Sequence, residues 1–269
     1  MTDHAPQVRR MGRVSEDEEG RLSYGDYLRL DELLDLQSPL SDPPAHDELL
    51  FIIVHQAYEL WFRELVFELE SVRDLIREGQ IERARHFLTR VHAIERLMIE
   101  QIEVLETMDP QDFLEFRSHL DPASGFQSVQ FREIELLSGL KEPQYVRMTP
   151  PRERPRLERR LEEPTLWDAL RELMEQHGLP MPEDDEEVRR ASLAKMALDR
   201  DAFPGLWYLA DDLIKHDELF TLWRQRHVLM VERQIGFKTG TGGSSGASYL
   251  RTTLEKRFYP ELWELRSQL

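Results

Sequence analysis

The chain has 269 residues, of which 40% are apolar and 32% charged, so it can bury a sizeable core and is neither disordered nor fibrous by composition. Thirty-five basic against fifty-two acidic side chains leave a net charge of −17, a field that repels phosphate backbones and anionic membrane surfaces and argues against nucleic acid as a partner. There is no cysteine, which excludes disulfides, thiolate zinc sites, iron–sulfur clusters and thiolate-ligated haem, and leaves any metal to rest mainly on His or carboxylate.

The longest purely apolar run, Leu49 to Val54, spans six residues, far below the roughly twenty that a membrane helix needs. Residues 1–20 mix Arg9, Arg10 and Arg13 with Glu16, Asp17, Glu18 and Glu19 and hold no apolar stretch. They read as a frayed arm without a secretory signal, and a cytoplasmic protein is expected. Beyond the arm, apolar residues recur with helical period, and no segment alternates with period two between hairpin turns. The expected fold class is all-α, a helical bundle of long antiparallel helices. Residues 21–269 are expected to form a single domain with a small helical insertion at about 141–200.

In chain order, Tyr24, Tyr27, Leu28, Leu30, Leu33 and Leu34 predict a first helix, stopped by Pro39, Pro43 and Pro44. Asp47 is placed to N-cap a long helix to about Ile76, whose inward stripe carries Phe51, Val54, His55, Tyr58, Phe62, Leu65 and Leu69. A third helix covers about Ile81 to Met108. Between Asp109 and Gly139 two short helical pieces are split by the breaker cluster Asp121-Pro-Ala-Ser-Gly125, with a helix-like run from Phe126. Lys141 to Pro164 holds five of the fifteen prolines and reads as an exposed excursion rather than a core element. A smaller helical subregion follows over about 165–200, where Glu183 to Glu187 reads as a solvated face or helix start. The last long helix, about Phe203 to Ile235, puts Phe220, Trp223, His227, Met230 and Val231 on one face and ends at Gly236. A glycine-rich stretch, Gly240 to Gly246, then leads to a helix from about Ala247 and a C-terminal segment with Phe258, Tyr259 and Trp263.

The nine histidines are the candidate nitrogen ligands. None has an acid three residues before it, as a di-iron bundle requires, and the His-Glu-x-x-His pattern is absent. His46-Asp-Glu48 and His216-Asp-Glu218 have the spacing of two arms of a facial triad, but read more simply as helix-start and surface residues. His55 and His227 differ, because each lies within a helix on an apolar, aromatic face. Each is either a core histidine satisfied by a hydrogen bond or an imidazole facing a flat apolar cofactor. The Gly240 to Gly246 loop lacks the Gly-Lys-Ser/Thr of a phosphate loop and the third glycine of a dinucleotide fold. It reads either as a mobile linker or as a concave set of backbone N–H groups suited to a carboxylate, with the hydroxyls of Thr241, Ser244 and Ser245 added. Arg117, near a second breaker cluster, is surface charge unless it borders an apolar pocket, where it would take a carboxylate bidentately.

Four stretches together carry a specific resemblance: Tyr24-Gly-Asp-Tyr-Leu28; Asp47-Glu-Leu-Leu-Phe-Ile-Ile-Val-His-Gln56 with Glu59-Leu-Trp61; Ser124-Gly-Phe-Gln-Ser128 with Gln130-Phe-Arg132; and Gly240-Thr-Gly-Gly-Ser-Ser-Gly246. In order from about residue 22 to the C-terminus, they resemble the tryptophan 2,3-dioxygenase family. The resemblance implies an all-α haem protein with haem b in the bundle core, iron ferrous in the active form. It implies a homotetramer, a dimer of dimers, that cleaves the indole C2–C3 bond of L-tryptophan with O2 to give N-formylkynurenine, the first step of tryptophan catabolism via kynurenine.

By the same resemblance His227 is the proximal iron ligand, and His55 is the distal histidine that accepts the indole N–H. Phe51 shapes the pocket, Arg117 pairs with the substrate carboxylate, and Thr241 meets the amino acid's charged groups. Gly240 and Gly242 let the backbone close over substrate, and Ser124 lies near the haem edge. Tyr24, Tyr27 and Leu28 belong to an N-terminal segment that reaches into the neighbouring subunit's pocket. One position departs from the family pattern: Phe113 stands where a tyrosine usually supports the carboxylate contact. Losing that hydroxyl would weaken carboxylate binding by about 1.5–3 kcal/mol. Two other readings follow from the same residues, a same-fold haem oxygenase acting on a substituted tryptophan and a haem-free helical interaction protein.

Overall fold

The computed structural model describes residues 21–243 and 245–269. The arm expected over 1–20 and the hydroxyl of Ser244 lie outside the described residues. Among the described residues every regular element is helical. No helix is long and apolar enough to cross a membrane.

Of the described residues, 21–38 belong to one compact unit and those from Pro39 to a second. In the first, the single expected helix is two: α1 (Tyr24–Leu28) and α2 (Leu30–Leu33). Arg29 lies between them at φ 51° in the left-handed region, its N–H closing the end of α1. This breaks a sequence whose apolar spacing alone would run on. Ser23 caps α1 by accepting from the Asp26 N–H at 3.1 Å.

The second unit is built on three long helices, α3 (His46–Arg77), α4 (Ile81–Leu105) and, later in the chain, α11 (Pro204–Ile235). α4 packs along both α3 and α11. Val54, Tyr58, Phe62, Leu65, Leu69, Val72 and Ile76 of α3 are buried, as the helical stripe predicts. Asp47 is not the N-cap. That position falls to Ala45, which offers no side-chain bond. Glu48, in the first turn, instead ties down the incoming chain: its carboxylate accepts from the Leu40 N–H at 2.6 Å, the Ser41 N–H at 3.0 Å and the Ser41 hydroxyl. The Ser41 oxygen in turn accepts from the Ala45 N–H at 2.7 Å. Burial pushes the Glu48 carboxyl up, and these bonds outweigh it and hold it below the ordinary value.

Between α4 and α11 lie α5 (Pro110–Arg117), capped by Asp109, and α6 (Val129–Ser138), capped by Ser128. They are followed by α7 (Pro143–Met148), α8 (Arg154–Glu162), α9 (Leu166–Gln176) and α10 (Glu186–Leu198). The proline-rich stretch is not an exposed excursion. Pro143 and Pro155 stand in the first turns of α7 and α8, where a missing N–H costs nothing. Tyr145, Val146 and Leu157 are buried, and Val146 and Leu157 join Val129 and Leu136 in a second apolar cluster. Arg160 pins α8 down by pairing with Glu133, Glu70 and Glu163. Leu166, Leu170, Leu173 and Met174 of α9 belong to the same core cluster as α3 and α4. Asp185, within the acidic run, caps α10 through the Val188 N–H at 3.1 Å.

His216 and Asp217 are not surface residues; both are fully buried. His216 bonds Glu95 at 2.6 Å through Nδ1 and the Ser138 hydroxyl at 2.8 Å through Nε2, joining α11 to α4 and α6. Asp217 accepts from the backbone N–H groups of Phe258 (2.9 Å) and Tyr259 (3.3 Å) and from the Trp263 indole N–H (2.8 Å). It thereby docks α13 (Pro260–Leu265), which follows α12 (Ala247–Arg251). His216 and Asp217 of this triplet therefore serve a buried network, in which Glu95 Oε2 and Asp217 Oδ1 are left without a hydrogen-bond partner among the described residues.

Candidate functional site

α3, α6 and α11 enclose a cavity of about 270 Å³ whose walls are mainly aromatic and aliphatic. α3 supplies His55, Tyr58, Glu59 and Phe62, α11 supplies Trp223, Arg224, His227, Val228 and Val231, and Phe131, Arg132 and Glu135 come from α6. Phe113 and Arg117 on α5, Ser124, and Gly240 and Thr241 of the glycine-rich loop complete one side. The two singled-out histidines thus face one space from different helices, close enough that charge on His55 lowers the proton affinity of His227.

His55 Nδ1 lies 2.7 Å from the carbonyl oxygen of Phe51. A carbonyl only accepts, so the ring proton sits on Nδ1 and Nε2 is left as an acceptor. Burial pulls its pKa below the ordinary 6.5, against the opposing pull of the Phe51 carbonyl and the Glu59 carboxylate. His227 is lowered to about 4, first by burial and then by His55. Both imidazoles are therefore neutral near pH 7. The His227 ring stacks on Trp223 at 5.1 Å and 7°, which fixes its plane, and Trp223 packs edge-on against Tyr58 and Phe62.

Among the described residues no three His, Asp or Glu side chains gather as a metal cage. A neutral imidazole aimed into an aromatic-walled space suits a different guest, a planar metal macrocycle that brings its own equatorial ligands and lacks an axial one. The donor set and the wall chemistry both fit such a group.

Phe51 does not line the cavity; it backs the site, with its ring 4.1 Å from that of His55 and 5.7 Å from that of Phe113. Arg117 is half-buried and donates to the Thr239 carbonyl. Thr241 donates to the Ala123 carbonyl at 2.7 Å, so the glycine-rich loop docks on the Asp121–Gly125 turn. The docking requires Gly242, where a Cβ would come within 2.6 Å of the Ser124 Cβ. Gly246, at φ +63°, would likewise drive a Cβ to 2.5 Å from the Lys238 carbonyl oxygen. The described residues of the loop thus pack as a wall of the cavity. Tyr24 and Tyr27 are exposed on α1, in the other compact unit.

Sequence reasoning assigned no role to Arg132, Glu135, Arg224 or Tyr249, all of which line the cavity. Glu135 accepts from Arg132 at 2.5 Å and from Arg224 at 2.8 Å, and all three are buried. The available signal was a glutamate inside the apolar run Ile134-Glu-Leu-Leu137 beside a motif arginine.

Comparison with known proteins bears on this site. A family described as Tryptophan 2,3-dioxygenase matches residues 10–181 and 184–269. A tryptophan 2,3-dioxygenase from Nocardioides sp. is 54% identical over 264 residues, 95% of this chain and 98% of its own length. Proteins of the same name from Herpetosiphon aurantiacus (44% over 259 residues, 92% of this chain and 98% of its own) and Serratia proteamaculans (41% over 264 residues, 93% and 94%) are also similar. The chain therefore belongs to the tryptophan 2,3-dioxygenase family.

Proposed function

We propose that the chain is a haem-dependent dioxygenase that cleaves the indole C2–C3 bond of L-tryptophan with O2 to give N-formylkynurenine, in the cytoplasm. Within the family match, the observation that carries this reading is the pair of neutral imidazoles on α3 and α11 facing one apolar cavity. His227 would hold the iron of haem b, which supplies the O2-activating chemistry when bound.

The chain's own residues bind, orient and exclude water. His55 would accept the indole N–H at Nε2 and so orient the indole in the cavity; because Nδ1 is committed to the Phe51 carbonyl, the acceptor is always presented. It acts as an acceptor and not as a strong base, since the reaction requires no loss of the indole proton. Phe51 holds that imidazole from behind. Arg117 takes the amino acid carboxylate and Thr241 its charged groups, which selects the zwitterion over plain indole. Gly240 and Gly242 let the loop backbone approach, Ser124 borders the cofactor edge, and Phe113 contributes a dry wall without a hydroxyl.

The active species is a homotetramer in which Tyr24, Tyr27 and Leu28 complete a neighbour's pocket. Support comes from their exposure in the single chain, 76%, 72% and 39%. A stripe of exposed Leu49, Ile53, Leu60 and Phe67 on one face of α3 also calls for cover.

Titration of the haem-free protein with haem tests the ligand assignment. Wild type and His55→Ala develop a stable Soret band, and His227→Ala does not. Loss with His55→Ala and retention with His227→Ala would reverse the two roles.

A further inference from the structure

Of the two cavity imidazoles, only one is held by a hydrogen bond. His55 is tied at Nδ1 to the Phe51 carbonyl. On His227 only burial and the charge of His55 act, and no described residue offers either of its ring nitrogens a partner. A histidine that ligates a metal ordinarily donates its second ring N–H to a carboxylate or a carbonyl, and that bond sets the turn of the ring. Without it the torsion about the bond from Cβ to the ring is loosely restrained, because its wells are broad. The orientation of this ring must therefore come from something else.

The residue one helical turn earlier supplies it. Trp223 and His227 stand at i and i+4 on α11, on one face, with their rings parallel to within 7° and their centroids 5.1 Å apart. The indole is itself held from its sides. Tyr58 and Phe62 of α3 meet it at 71° and 83°, and the Phe131 ring of α6 lies 5.4 Å away. Tyr58 is fixed in turn, since its hydroxyl donates to the Met98 carbonyl of α4 at 2.7 Å. Three helices besides α11 thus set the plane of the indole, and the indole sets the plane of the imidazole. We infer that Trp223 is the positioning residue of the cofactor ligand, a stacking platform that orients His227 by its face, in place of a hydrogen bond at its second nitrogen, before the macrocycle arrives. The inference rests on the proposed haem reading. It also gives the ligand a character: an acceptor at the second N–H would raise the basicity of the imidazole, and an aromatic face leaves it a neutral donor.

Two experiments test this. In haem-free wild type labelled at histidine, the His227 ring protons, assigned by their loss in His227→Gly, are shifted upfield in the NMR spectrum by the ring current of the indole. Trp223→Leu abolishes the shift. His227 protons at ordinary positions in wild type overturn the inference, and that measurement needs neither cofactor nor a folded Trp223 variant. The second experiment uses His227→Gly, whose missing ring free imidazole replaces, so that added imidazole restores the Soret band on titration with haem. Adding Trp223→Leu raises the imidazole required about fivefold, as expected for the loss of one ring stack, and adding Trp223→Phe raises it less than twofold. Equal imidazole demand with and without Trp223→Leu overturns the inference, because a merely structural tryptophan would weaken haem uptake without changing the imidazole dependence. Upfield His227 protons in a wild type that takes up no haem refute the haem reading; ordinary protons in a wild type with a normal Soret band refute the platform alone.

Discussion

At the scale of single residues, the proposed site rests on two imidazoles whose environments favour the neutral form and on Phe113, where the resemblance expects a tyrosine. The sequence placed His55 and His227 on apolar helical faces, and the family resemblance separated their roles. What it could not reveal was the tautomer of His55, which depends on a 2.7 Å approach to the carbonyl four residues earlier. Nor did it reveal the Arg132–Glu135–Arg224 pole, because its members sit on two helices almost ninety residues apart in the chain. Phe113 is buried against Phe51 and Phe116, with ring centroids at 5.7 and 5.3 Å, and it borders the cavity shared with Arg117. Restoring a phenol there adds a donor beside the proposed carboxylate site. Phe113→Tyr is expected to lower the KM for tryptophan by about tenfold, the equivalent of about 1.5 kcal/mol for a hydrogen bond to a charged group. Steady-state kinetics on both proteins measure this, and an unchanged KM would show that Arg117 needs no such support.

At the scale of elements, the long helices were legible because their apolar residues keep the 3.6 period over many turns: α3, α4 and α11 begin and end within a few residues of the expected limits. The starts and the short helices were less so. α3 begins without a capping side chain at Ala45, and Glu48 satisfies the incoming chain instead, a reach from inside the first turn that local pattern does not encode. Likewise the prolines of α7 and α8 mimic a loop signal while standing in the first turn, where a helix tolerates them. Glu48→Ala leaves two backbone N–H groups without their acceptor and is expected to destabilise the fold by about 1–3 kcal/mol. Because its carboxyl is depressed below the ordinary 4.5, wild type should lose this contribution as pH falls through that value, and Glu48→Ala should not. Urea denaturation at neutral and acid pH checks both statements; equal stability of the two proteins at pH 7 would refute the role given to Glu48.

At the scale of the whole molecule, the absence of cysteine and the surplus of acid take on definite meaning. With the histidines, the lack of cysteine is consistent with the proposed imidazole-held macrocycle, and an overall charge of −17 is no obstacle to the proposed amino acid substrate, whose carboxylate Arg117 would meet locally. Global stability carries a further pH signature. Burial, then His216, pushes His92 down to about 4, while the Asp212 carbonyl at 2.9 Å pulls the other way. The unfolded chain takes up this proton near 6.5 and the folded protein does not, so stability is present above that pH. It declines as pH falls from 6.5 towards 4, by on the order of 3 kcal/mol. His92→Gln should flatten that part of the Tm–pH curve, and an unaltered curve would assign the decline to other groups. The central claim, dioxygenation of tryptophan, is tested most directly by supplying the reduced, haem-loaded protein with L-tryptophan and oxygen-18 gas and weighing the product. The account predicts N-formylkynurenine carrying two oxygen-18 atoms; a product carrying one, or unchanged tryptophan, would contradict it.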